Sequence, residues 1–145
     1  MTIAKTKEWF ETAVPAPTQQ GFNVQLGCHL EEVGEMVGNL EFSEGCAVVV
    51  AQTVKALADR LKAGQCTARI IDPVEHLDAL ADQIVTAVGC AHMLGMDIIG
   101  ALDEVNRSNF SKFEDGKPVF NEHGKIKKGW DYKAPELAGF VGGEQ

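Results

Sequence analysis

Apolar residues return at every third or fourth position through most of the first 110 residues, and nowhere there do they alternate for long enough to build a strand. That rhythm commits the chain to amphipathic helices, and a set of breakers divides it into five. The first helix is expected from Thr6 toward Val14, stopped by Pro15 and Pro17, because proline removes a donor and restricts the residue before it. The second spans 19 to 41, with Phe22, Leu26, Leu30, Val33, Val37 and Leu40 on its core face; the third spans 44 to 63 and ends at Gly64. The fourth opens with Asp72 at the N-cap, Pro73 at N1 and Glu75 at N3, and runs to a C-terminal Gly95. Asp97 caps the fifth, which continues through Phe113. Beyond it, residues 115–120 and 124–129 read as two short strands around a turn at 121–124, and 141–145 as a frayed tail. The expected fold is all-α: a bundle of about five helices with a short C-terminal β-hairpin-like segment, one domain over residues 1–140.

Charge and composition narrow the function. The chain has 145 residues and a formal net charge of −8, which argues against a surface for duplex nucleic acid. The charge is also uneven: residues 106–133 hold seven basic residues against four acidic ones, a local +3 that leaves −11 for the remainder. An acidic body with a basic C-terminal segment suits a small anionic ligand, with metal bridging the like charges. No apolar run approaches the roughly 20 residues that span a bilayer, and the first residues lack the continuous apolar core of a signal peptide, so no membrane partner and a cytoplasmic setting are expected. Cys28, Cys46, Cys66 and Cys90 form no C-x-x-C pair and read as buried thiols. The four histidines have no zinc-ligand spacing.

The sharpest local feature is Glu31, Glu32 and Glu35 on little more than one helical turn. At 100° per residue Glu31 and Glu35 lie within about 40° of each other, and Glu32 stands roughly 60° beyond Glu35, all away from the apolar stripe. Like charges at this spacing repel unless a cation sits among them. A plainly solvated face is the ordinary explanation of such a cluster. Against it, Gly27, Gly34 and Gly38 form a row beside Glu31, and each costs about 0.5 to 1 kcal/mol relative to alanine, as if a backbone or ligand came close there. On the fourth helix Asp78 and Asp82 sit one turn apart at the margin of the stripe of Leu77, Leu80, Ile84 and Val88. If the second and fourth helices pack together, five carboxylates converge, and an all-oxygen set of that kind suits Mg²⁺, with Mn²⁺ as a substitute.

These residues carry a resemblance. The E-E-x-x-E pattern of Glu31, Glu32 and Glu35, followed by D-A-L-A-D at 78–82 and by the stretch from Gly95 to Leu137, resembles the all-alpha nucleoside triphosphate pyrophosphohydrolases, the MazG-like and phosphoribosyl-ATP pyrophosphohydrolase-like group, in their phage and bacterial forms. The similarity extends over about residues 22–137, and it departs from the E-x-x-D motif of many members, since Ala79 stands three before Asp82 and the extra acid is Asp78. It implies Mg²⁺-dependent hydrolysis of a nucleoside triphosphate, foremost a deoxynucleoside triphosphate, to a monophosphate and pyrophosphate. Glu31, Glu32, Glu35, Asp78 and Asp82 would be metal ligands, and Glu32 and Glu35 catalytic, with Glu32 favoured to take the proton from the attacking water. Asn106, Arg107, Asn109 and Lys112 suit the ribose or base edges and the phosphates, and Lys128 and Tyr132, with Lys125, Lys127 and Trp130 near them, could close over the nucleotide or pack on a neighbouring subunit.

Two alternatives stay open: phosphoribosyl-ATP pyrophosphohydrolase, which cuts the same bond on a bulkier substrate, and a non-catalytic helical oligomer or adaptor. A homodimer, or a tetramer built from dimers, is expected in any case. The glycine row of the second helix lies off its leucine side, and the small residues of 88–95 rim the fourth, so both helices have a second face in want of a cover.

Overall fold

The computed structural model describes residues 2–43, 47–121 and 126–142. It is mostly helical, with five α-helices, and no strand occurs among the described residues. The chain divides into two compact units, Ala16–Ile71 on one side and Met1–Pro15 with Asp72–Gln145 on the other.

The first of these units is a helical hairpin. Its α2 is Gln19–Gly38, one residue after Thr18, whose hydroxyl accepts from Gly21 N–H at 3.0 Å and so satisfies one of the orphan donors of the first turn. Its α3 is Ala47–Lys62, followed by Gly64 at φ +69°. The helices run antiparallel, because Gly27 faces Ala58, Leu61 and Lys62 while Gly34 faces Ala51 and Lys55. The most buried side of α2 is therefore the small one, with Asn23, Gly27 and Gly34, and the expected apolar stripe is half-buried, with Leu40 beyond the helix 52% exposed. A Cβ on Gly27 would stand 2.8 Å from the Ala58 carbonyl, so two of the three glycines are explained by the close approach of α3. The third, Gly38, has nothing within 4 Å. Ala58 and Leu61 form the buried seam of α3, and Asn23 closes the far end by accepting from Ala68 N–H at 3.0 Å.

In the second unit α1, Thr2–Ala13, lies along α5, Ile98–Phe110. Trp9 donates from Nε1 to the Asn109 carbonyl at 2.9 Å and stacks on Phe113 with ring centroids 5.7 Å apart. Helix α4, Pro73–Met93, starts as its sequence requires: Asp72 accepts from Val74 N–H at 2.8 Å and from Glu75 N–H at 3.2 Å, with Pro73 at N1. Gly95 at φ +68° then ends it in a left-handed residue that a Cβ would strain, and α5 leaves at 119° to α4. The C-terminal segment returns along α5. There the 3₁₀ helix Ala138–Phe140 caps the α4–α5 corner through Asp97 N–H to the Phe140 carbonyl at 2.9 Å.

In place of the two expected strands, the described residues show isolated antiparallel bridges, Glu114↔Lys117 and Phe120↔Ile126. The first is a tight turn of its own, with Asp115 at φ 51° and Gly116 at φ +73°, the pair of positive angles that an Asp-Gly turn accommodates. Most of the expected turn at 121–124, with Lys125, lies outside the described residues, as does most of the expected tail at 141–145. Cys46 lies outside them too, and the other three thiols are free, with Cys28 and Cys66 half-buried and Cys90 exposed instead of buried. No single described helix is long and apolar enough to cross a membrane.

Candidate functional site

The glutamate face of α2 is built by the same row that brings α3 close. Gly27, Glu31, Gly34 and Gly38 follow one another at helical steps of four, three and four, so Glu31 is the one carboxylate of the cluster turned toward the neighbouring helix. There it meets Lys62: Nζ donates to Glu31 Oε1 at 2.7 Å and stands 3.3 Å from Asp59 Oδ1. The Lys62 side chain is 15% exposed and that of Glu31 29%, so the pair is partly withdrawn from water. The hydrogen bond that Lys62 donates to Glu31 leads the forces that raise the Lys62 pKa above its ordinary value.

Glu32 and Glu35, by contrast, are exposed, and neither side chain has an ion pair or hydrogen bond among the described residues. Asp78 and Asp82 are exposed positions of α4, in the other compact unit. Among the described residues no three His, Cys, Asp or Glu side chains come together as a group able to hold a metal ion. Among the described residues the cation beside the α2 acids is the Lys62 ammonium.

The six residues expected to bind substrate all belong to the unit of α1, α4 and α5, and each has structural company there. Asn106 is 2% exposed; its Oδ1 accepts from the Thr6 hydroxyl at 2.9 Å and its Nδ2 donates to the Thr2 carbonyl at 3.0 Å, so both amide atoms serve the α1–α5 contact. Arg107 forks onto Glu104, from Nε at 2.7 Å and Nη2 at 2.6 Å, and reaches the Ala134 carbonyl at 3.1 Å. Glu104 also accepts from Glu136 N–H at 2.9 Å, and these hydrogen bonds, Arg107 foremost, lower its pKa to about 2. Lys112 donates to Asn109 Oδ1 at 2.7 Å and hangs over the Trp9 ring at 5.9 Å from its centroid. Lys128 covers the ring of Tyr132 at 4.6 Å, beside Trp130, which is 70% exposed.

The residue that sequence reasoning missed is Lys62. Its partner is 31 positions away, and the only local signal was Asp59 three residues before it. An apolar groove of about 490 Å³ between α1, α4 and α5, lined by Ile3, Phe10, Ile84, Val88, Ile98 and Leu102 among others, was likewise not foreseen. Comparison of the chain with protein-family models, with curated proteins and with solved structures gives no match.

Proposed function

We propose that the chain is a Mg²⁺-dependent nucleoside triphosphate pyrophosphohydrolase of the MazG-like kind, with deoxynucleoside triphosphates as its foremost substrates, working in the cytoplasm. The observation that carries this reading is the state of Glu32 and Glu35. They are two exposed carboxylates within one turn of α2, without a side-chain partner among the described residues, in the E-E-x-x-E pattern of the pyrophosphohydrolases. Uncompensated acids one turn apart cost a helix a few tenths of a kcal/mol, and a ligand that needs them is a reason to keep them. The resemblance would add Glu31, Asp78 and Asp82 as metal ligands. Lys112 and Lys128, each over an aromatic ring, offer cationic charge and a stacking surface of the type a nucleotide uses. The single bridge Phe120↔Ile126 supports a short C-terminal hairpin.

The working unit in this proposal is a homodimer, or a tetramer of dimers. Its support is α4, where Val74, Leu77, Val85 and Met93 are 76%, 68%, 66% and 82% exposed. Four such side chains, at roughly 1.5 to 3 kcal/mol each when fully buried, approach the roughly 4 to 15 kcal/mol that association costs. A second copy of the chain is the economical cover.

The Glu31–Lys62 pair favours one competing reading, a helical oligomer without catalysis, since there the protein supplies its own counter-ion. A panel of ribo- and deoxynucleoside triphosphates and phosphoribosyl-ATP, incubated with and without Mg²⁺ and resolved by chromatography, separates the readings. Metal-dependent pyrophosphate release supports the first and selects its substrate; a diphosphate product, or no turnover of any nucleotide, overturns it.

A further inference from the structure

Resting on the homodimer proposed above, we infer that α4 is its seam, packed antiparallel on α4 of a second copy, with Leu77 of each chain against Val88 of the other and Ala81 against Ile84. The spacing along α4 is the first support. Val74, Leu77, Ala81, Ile84 and Val88 follow at steps of three, four, three and four, the repeat with which one helix beds on another. All five positions are exposed; the next step, Ala91, is 8% exposed, so there the repeat passes into the protein's own core. In the stated register the smallest of the five residues meets the bulky Ile84, and the helices interdigitate at the centre of the contact. Ile84 and Val88 also line the apolar groove between α1, α4 and α5, so the seam continues into a trough that receives the side chains of the facing helix.

The apolar area matches what a second copy needs. Val74, Leu77, Ile84, Val85 and Val88, with Ile3 and Phe10 of α1 on the adjoining groove, are 37% to 76% exposed. At roughly 60 to 120 Å² for a fully exposed side chain of this kind, they present about 250 to 450 Å². A dimer interface that clears about 1,000 Å² in total, a little over half of it apolar, needs about 300 Å² of apolar surface from each copy. The orientation follows from charge. Asp72, Glu75, Asp78 and Asp82 make the start of α4 acidic, whereas residues 83–96 contain no Asp, Glu, Lys or Arg. A parallel pair would set the two acidic halves side by side, and the antiparallel pair lays each against an uncharged half. By length and composition α4 and α5 together also pass for a bent membrane span, but the same four acids hold this face off an anionic lipid surface.

The test measures dimer dissociation of the full chain by analytical ultracentrifugation. Wild type, L77K, V88E, an equimolar mixture of those two variants, and the double variant L77K/V88E are compared. Both positions are exposed, so the protomer's own core is untouched; A81K with I84E, the other facing pair of the register, serves if either variant loses its helical circular dichroism. Each single substitution occurs twice in a symmetric dimer, and at about tenfold per site should weaken it about a hundredfold. The mixture and the double variant should recover to within about tenfold of wild type, because only the antiparallel register sets residue 77 of one copy against residue 88 of the other. Single variants that dimerise like wild type overturn the seam and leave the homodimer in place. Weakening without recovery in the mixture overturns the antiparallel register. A wild type that is monomeric, or that floats as a monomer with phosphatidylcholine–phosphatidylglycerol vesicles, overturns the seam and the homodimer together. Metal-dependent pyrophosphate release by the same wild-type sample decides the catalytic reading separately.

Discussion

At the scale of single residues, Gly27 and Gly38 look alike in sequence and differ in what surrounds them. A Cβ at 27 meets the Ala58 carbonyl and the Lys62 stem at 2.8 Å, whereas at 38 it meets nothing within 4 Å. Gly27→Ala should therefore destabilise the hairpin by about 1 to 3 kcal/mol in urea denaturation, through forced displacement of α3. Gly38→Ala should be neutral or stabilise by up to about 1 kcal/mol; a loss at 38 equal to that at 27 would contradict the packing described. Glu104 gives a second residue-scale prediction. Its folded pKa of about 2 lies below the ordinary 4.5, so the unfolded chain binds the proton first as pH falls. The stability it contributes is present above pH 4.5 and is lost as pH falls toward 2. Thermal melts of wild type and Glu104→Gln should differ at pH 7 and converge near pH 2, and a gap that persists at pH 2 would show that the carboxylate's charge is not the cause.

At the scale of elements, legibility in the sequence followed the range of the interaction. The start of α4 was readable because Asp72, Pro73 and Glu75 cap it within four residues, and the structure places each as expected. Asp72→Ala should cost about 0.5 to 2 kcal/mol, measured as a fall in melting temperature. The second helix was readable in type and start, but it ends at Gly38, short of the expected 41, where the ladder tightens to i→i−3 bonds, Asn39 N–H to the Met36 carbonyl at 3.3 Å and Leu40 N–H to the Val37 carbonyl at 3.1 Å. The first helix begins at Thr2, four residues early, held there by Thr2 and Thr6 bonding to Asp103 and Asn106, about 100 positions distant. The same distance hid the placement of Asn106: a polar residue near a helix end looks available in sequence, and only the neighbouring α1 shows that its amide is engaged. The glycine row signalled a close approach correctly, and α3 of the same chain supplies it for two of the three. The 3₁₀ turn at Ala138–Phe140 was not foreseen, since what orders it is the Asp97–Phe140 bond across the chain.

At the scale of the whole molecule, all-α architecture was legible from periodicity alone, while the candidate site was legible only as residue types. The counter-ion of Glu31 depends on the α2–α3 register, which no local pattern encodes. The exposed apolar residues of α4 give the proposed assembly its own test: Leu77→Glu with Val85→Glu should convert the oligomer to a species near the chain mass of 15.6 kDa in light scattering, with α-helical circular dichroism retained. An oligomer unchanged by both charges would place its interface elsewhere. The central proposal is tested most directly by product analysis with Mg²⁺ and the deoxynucleoside triphosphates, comparing wild type with Glu35→Gln and Asp82→Asn. The expected result is Mg²⁺-dependent release of pyrophosphate by the wild type and its loss in both variants at unchanged helicity. Release of single phosphate, or near-normal turnover in either variant, would contradict it and return these carboxylates to a solvated surface.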